Sequence, residues 1–140
     1  MYYRIEPEVA GGWGEGTEAD TTYHPPKITS LIFEFEGWLG DSIVTSFPCY
    51  LVTEELAQSL NDAKLSGYEL ANCTITKSDT FDELYPNKKL PSFIWLQVVG
   101  KAGVDDFGID KDLRLVVSAA ALSALQEHSL NDCDIEEINV

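Results

Sequence analysis

The chain has 140 residues, 44% of them hydrophobic, and carries 24 Asp and Glu against 9 Lys and Arg for a net charge of −15. One domain of that size buries enough apolar surface to fold without a metal or a disulfide. The acidity argues against nucleic-acid binding, which rests on phosphate neutralisation by Lys and Arg, and no apolar run approaches the roughly 20 residues of a membrane helix.

The start, MYYRIEPE, lacks the basic residues and apolar core of a signal peptide, so a cytoplasmic location is expected. Met1–Ile5 is expected as a first strand, because Tyr2, Tyr3 and Ile5 favour β structure. Residues 10–27 contain GGWGEG around Trp13 and the pair Pro25–Pro26, without periodicity. They are expected as a loop-rich segment whose Trp13 folds back as a lid on the core. Ile28–Trp38 alternates Leu31, Phe33 and Phe35 with Ile32, Glu34 and Glu36, which predicts a strand. The segment GWLGD (37–41) is a turn, and Ser42–Phe47 is a short extended piece.

Cys49–Val52 leads into a helix with Thr53 as N-cap, Glu54 and Glu55 in the first turn, and Leu56, Leu60 and Ala63 on one face. Tyr68–Thr76 is expected as one strand. Ser78 or Asp79 caps a short helical turn that Pro86 ends. Two apolar runs follow, Phe93–Val99 and Leu113–Val117, joined by a loop that carries Asp105, Asp106, Asp110 and Asp112. Ser118 caps a further helix with Ala121, Leu122 and Leu125 as its apolar stripe. Cys133–Val140 is expected as the last strand, with Ile135 inward. The sum is an α+β fold: a mainly antiparallel or mixed sheet with two principal helices packed on it, in one domain over 1–140.

An internal echo runs at an offset of 65 residues, where Leu51-Val52-Thr53 meets Val116-Val117-Ser118, Leu60 meets Leu125 and Leu70 meets Ile135. Both stretches read strand, hydroxyl cap, helix, turn, strand. With so few identities, two ordinary units obeying the same capping rules are the simpler account, against a true duplication.

The search for chemistry returns little. The four aspartates of the 105–112 loop miss the EF-hand pattern: starting at Asp106, positions 1, 3, 5 and 12 fall on Asp106, Gly108, Asp110 and Val117. Cys49, Cys73 and Cys133 are scattered and odd in number, which predicts buried free thiols rather than a zinc site. His24 and His128 are the two histidine bases on offer, and no GxSxG, GxGxxG or GxxxxGK[ST] pattern accompanies them. No catalytic residue, metal ligand or cofactor is therefore assigned, and the chain is expected not to be an enzyme. Binding remains. A protein interface favours aromatic anchors ringed by charge. The segments GWLGD and GVDDFGID offer that combination, which nominates Trp38, Asp41, Asp105, Asp106 and Asp110 as partner-binding residues.

The order GWLGDSI (37–43), LSGYEL (65–70), LPSFIWLQVVGKAGVDDFGI (90–109) and LRLVVSAAALSAL (113–125) resembles small bacterial immunity proteins, which are encoded beside polymorphic or contact-dependent toxins. The resemblance covers roughly the last hundred residues and rests on order and spacing. It implies a non-catalytic acidic protein that neutralises a cognate toxin by occluding its active or binding surface, with a cationic toxin domain as partner. The rival expectation is a small-molecule-binding or enzymatic α+β domain with a pocket between sheet and helices.

Overall fold

A computed structural model of the chain describes residues 1–139. Its first half runs β1 (Tyr2–Glu6), β2 (Glu8–Val9), β3 (Gly11–Trp13), β4 (Glu18–Asp20), β5 (Lys27–Ser30), β6 (Ile32–Phe35), β7 (Ile43–Ser46), β8 (Cys49–Thr53) and α1 (Glu54–Asp62). The second half runs β9 (Tyr68–Ala71), β10 (Thr74–Lys77), α2 (Asp79–Leu84), β11 (Phe93–Val98), β12 (Phe107–Ile109), β13 (Leu115–Ser118), α3 (Ala119–Gln126) and β14 (Asp134–Ile138).

This overturns the expected α+β fold with two principal helices. Fourteen strands in four sheets make the described chain mostly β, and its three helices are only nine, six and eight residues long. The capping residues were legible, but helix starts do not report how little chain the helices take. The segment 10–27 also holds two short strands, β3 and β4, where a loop was expected. Tyr68–Thr76 divides into β9 and β10, which enter different sheets. Ile135 is 41% exposed on β14 rather than inward, and Val140, the last residue of that expected strand, lies outside the described residues.

Sheet order explains the burial. The central sheet is β2-β7-β8-β11-β9. Every residue of β8 is buried, because its two faces meet two separate cores. Val52 packs with Leu56, Leu60, Phe107, Val117 and Leu125 in one, and Leu51 packs with Phe33, Phe35, Phe81 and Trp95 in the other. A strand covered on both faces reads as a continuous apolar run, which is how CYLV reads. The first core is closed by the sheet β12-β13-β1-β14 and by α1 and α3. The second is closed by the sheet β10-β6-β3 and α2.

The internal echo is kept in the topology. The hairpin β7–β8 runs into α1, and β9 then lies at the far edge with β11 between it and β8. The hairpin β12–β13 runs into α3, and β14 lies at the far edge with β1 between it and β13. Every pairing in the two sets is antiparallel. The register agrees residue by residue. Leu70 pairs with Leu96 as Ile135, 65 positions later, pairs with Ile5. Thr53 pairs with Phe93 as Ser118 pairs with Tyr2. The N-terminal strand thus fills the place in the second unit that β11 fills in the first.

Two carboxylates brace the units across each other. Asp106, in the second unit, accepts the Ser66 N–H in the turn after α1 at 2.8 Å. Asp41, 65 positions before Asp106, accepts the Asn131 N–H in the turn after α3 at 2.8 Å, and Asn131 is 65 positions after Ser66. An exchange of equivalent bonds between equivalent positions goes beyond two units that merely share capping rules.

The glycines near Trp13 follow from close strand approach. A Cβ on Gly11 would run into the Glu34 carbonyl oxygen of β6, whereas one on Gly12 meets nothing within 4 Å. Gly11→Ala is therefore expected to destabilise by about 1–3 kcal/mol in urea unfolding, and Gly12→Ala to stay within about 0.5 kcal/mol of wild type. Equal effects would remove the β3–β6 contact as the reason for Gly11.

Candidate functional site

A cleft of about 840 Å³ opens where three segments converge: Glu6–Gly11 around β2, Glu36–Leu39 after β6, and Asn131–Asp134 before β14. Five carboxylates line it, from Glu6, Glu8, Glu36, Asp132 and Asp134, and no Lys, Arg or His does so among the described residues. Its lip carries two apolar side chains that face water, Val9 at 74% and Leu39 at 65% exposure. Trp38 and Tyr85 stand on the same wall.

The floor is built from buried acid. Asp41 is 0% exposed, and its two carboxylate oxygens accept the backbone N–H groups of Asn131 and Asp132, each at 2.8 Å. Glu8 is 8% exposed. Its Oε2 accepts the Leu39 N–H at 2.7 Å, and its buried Oε1 has no hydrogen-bond partner. Burial raises the Glu8 pKa. The charges of Asp41 and Asp132 add to that, against the N–H groups of Leu39 and Asp41, which pull it down. Asp132, exposed in the turn after α3, completes a group whose three carboxylates place one oxygen each within 4.8 Å of one another. Among the described residues, no Lys, Arg or His forms an ion pair with any of the three.

Trp38 belongs to this site. Its indole Nε1–H donates to the Asp41 carbonyl oxygen at 2.8 Å, and its ring meets Phe93 edge-on. Lys88 donates to the Trp38 carbonyl oxygen and lies over the rings of both Trp38 and Tyr85. Lys88 thus links Trp38 and Tyr85 of this wall by cation–π contacts.

The other nominated residues lie apart, and among the described residues no hydrogen bond or ion pair joins them to Trp38 or Asp41. Asp105 accepts the Lys101 N–H at 2.8 Å and closes its own loop. Asp106 accepts from the N–H and hydroxyl of Ser66 and from the Ser118 hydroxyl. Asp110 pairs with Arg4 at 3.0 Å and accepts the N–H groups of Asp112 and Arg114. Asp41 is buried and bonded to the backbone of its own chain, so its carboxylate is part of the floor rather than of a contact surface. Sequence reasoning missed Glu8 and Asp132. Neither sits in a recognisable motif, and they stand 124 positions apart.

The remaining chemistry is weak. Burial pushes the thiols of Cys49 and Cys133 up to about 12 and that of Cys73 up to about 11, which leaves no thiolate nucleophile near neutral pH. Ser59 Oγ lies 2.8 Å from His128 Nε2. Among the described residues no carboxylate bonds the other ring nitrogen to complete a triad, and the contact ties α1 to the end of α3.

No helix is long and apolar enough to cross a membrane. In comparisons with known proteins, no family model, no curated protein and no solved structure matches the chain.

Asp106 offers a test of the brace. Partial burial raises its pKa, but the bonds from Ser118 and Ser66 outweigh this and hold it below its ordinary value. A depressed folded pKa adds stability above the ordinary value and loses it as pH falls through the folded one. Asp106→Asn is expected to destabilise by about 1–2 kcal/mol at pH 7, with the gap to wild type narrowing below about pH 4. Urea midpoints across that range read it. A gap that does not change with pH would assign the loss to shape rather than to charge.

Proposed function

We propose that this protein is a non-catalytic binder that takes a cationic protein partner into the acidic cleft between β2, the Glu36–Leu39 segment and the turn before β14. The observation that carries the reading is the lining itself: five carboxylates, of which, among the described residues, Glu6 alone is paired with a cation, Arg114 outside the cleft, beneath a lip of exposed Val9 and Leu39. Apolar contacts beside charge are what a protein interface uses, the apolar part for slow dissociation and the charge for fast encounter. The net charge of −15 extends the same field over the whole molecule.

The resemblance to small immunity proteins supplies the kind of partner, a basic toxin domain whose working surface the chain would cover. Lys or Arg side chains of such a domain would enter between Glu36, Asp132 and Asp134, while an apolar residue would lie against Leu39 and Val9. The acidic loop at 105–112 takes no part in this reading, because Asp105, Asp106 and Asp110 are spent on the chain's own backbone and on Arg4.

The test is co-purification of the tagged chain from its host, followed by binding kinetics with the captured partner. A basic partner whose association slows about tenfold with the double variant Glu36→Gln, Asp134→Asn, with dissociation little changed, supports the reading. Leu39→Ser should instead speed dissociation. A partner that binds both variants like wild type, or one that is itself acidic, would overturn it.

A further inference from the structure

We propose that Glu8, Asp41 and Asp132 form a calcium site at the floor of the cleft. Three observations carry it. First, three carboxylates bring one oxygen each within 4.8 Å of one another, and none of them has a Lys, Arg or His partner among the described residues. Second, Glu8 is more than nine-tenths buried and one of its oxygens accepts nothing. A buried carboxylate oxygen without a donor loses its hydration for no return, and a cation supplies the missing partner.

The third observation is internal. The exchanged braces Asp41 and Asp106 do the same structural work, so the surroundings of Asp106 show what that work requires. The counterpart of Asp132, 65 positions earlier, is Gly67. Glu8 pairs in parallel with Val44, and 65 positions after Val44 stands Ile109, whose parallel partner is Lys101, so Lys101 stands at the counterpart of Glu8. The end braced by Asp106 thus has a lysine and a glycine in the places of Glu8 and Asp132, with Asp105 accepting the Lys101 N–H beside them. The other end sets two further carboxylates in those two places, and the brace does not need them.

The donor set selects the ion. All three ligands are carboxylate oxygens, which suit hard cations. Calcium at 2.3–2.6 Å from oxygen accommodates ligand pairs out to about 5 Å, whereas magnesium closes near about 4.2 Å. The open side of the cleft leaves room for water to complete the coordination. The site shares Asp132 with the surface proposed for a partner, but it is tested on the isolated chain, so the two readings fail separately.

The experiment is calcium titration of the full chain by calorimetry and thermal unfolding, with terbium as a luminescent stand-in excited through Trp38. One saturable site per chain is expected, with a dissociation constant of about 10⁻⁴ M. The melting temperature should rise by about 5–10 °C at 100-fold excess calcium, and magnesium should give a smaller shift. Glu8→Gln and the exposed Asp132→Asn should each weaken binding at least about tenfold. Asp106→Asn should lower stability yet keep the calcium site, which separates ligation from general destabilisation. If Glu8→Gln fails to fold, Asp132→Asn decides. Absence of saturable binding to about 10 mM, which is 100-fold above that constant, would overturn the proposal. So would a wild-type calcium response in Asp132→Asn.

Discussion

The structure depends on burying both faces of β8. A strand with all five residues out of water needs a cover on each side, and each cover recruits its own sheet and helix. On one side β13, β1, α1 and α3 enclose Val52. On the other β6, β3 and α2 enclose Leu51. Apolar burial of this extent is the dominant favourable contribution to folding. It also fixes where the acidic residues end up. With both faces of the central sheet occupied, the carboxylates collect where the sheets meet and at the loop ends. The cleft between β2, the Glu36–Leu39 segment and the turn before β14 is one such junction.

Much of the local structure was legible. Thr53, Ser78 and Ser118 each accept the N–H three residues on, as N-cap residues do. The runs at Cys49–Val52, Phe93–Val99 and Leu113–Val117 announced buried strands, although β13 starts two residues later than its run. The balance of the fold was not legible. Three well-capped helices suggest a helical layer, yet they are short, and the strands between them are shorter still. Residues 10–27 hid β3 because glycines that permit close backbone approach look like glycines that permit a loop. The division of Tyr68–Thr76 into β9 and β10 is a tertiary decision: Leu70 pairs with β11, while Ile75 pairs with Phe33 of another sheet.

The candidate site was less legible still. Sequence reasoning weighted the loop where aspartates cluster, and the structure uses those aspartates on the chain itself. Asp106 receives two serines, and Asp110 anchors Arg4. Clustering in sequence is what a turn-rich loop produces when carboxylates satisfy nearby N–H groups. The carboxylates without such partners are distant in sequence and meet only because β1 returns to the middle of the last sheet and leads into β2. Glu8 reaches the floor through that strand order, which no spacing rule reports.

The repeated unit gives the site its meaning. In a molecule built twice on one plan, features present at both ends belong to the plan, and features present at one end belong to something else. The caps Thr53 and Ser118, the hairpins before them and the exchanged bonds of Asp41 and Asp106 are common to both ends. Glu8 and Asp132 are not. Bringing two further carboxylates against a buried Asp41 opposes folding through like-charge repulsion and lost hydration. A burden carried at one end and avoided at the other is not explained by folding, and the proposed binding of a cation there would account for it.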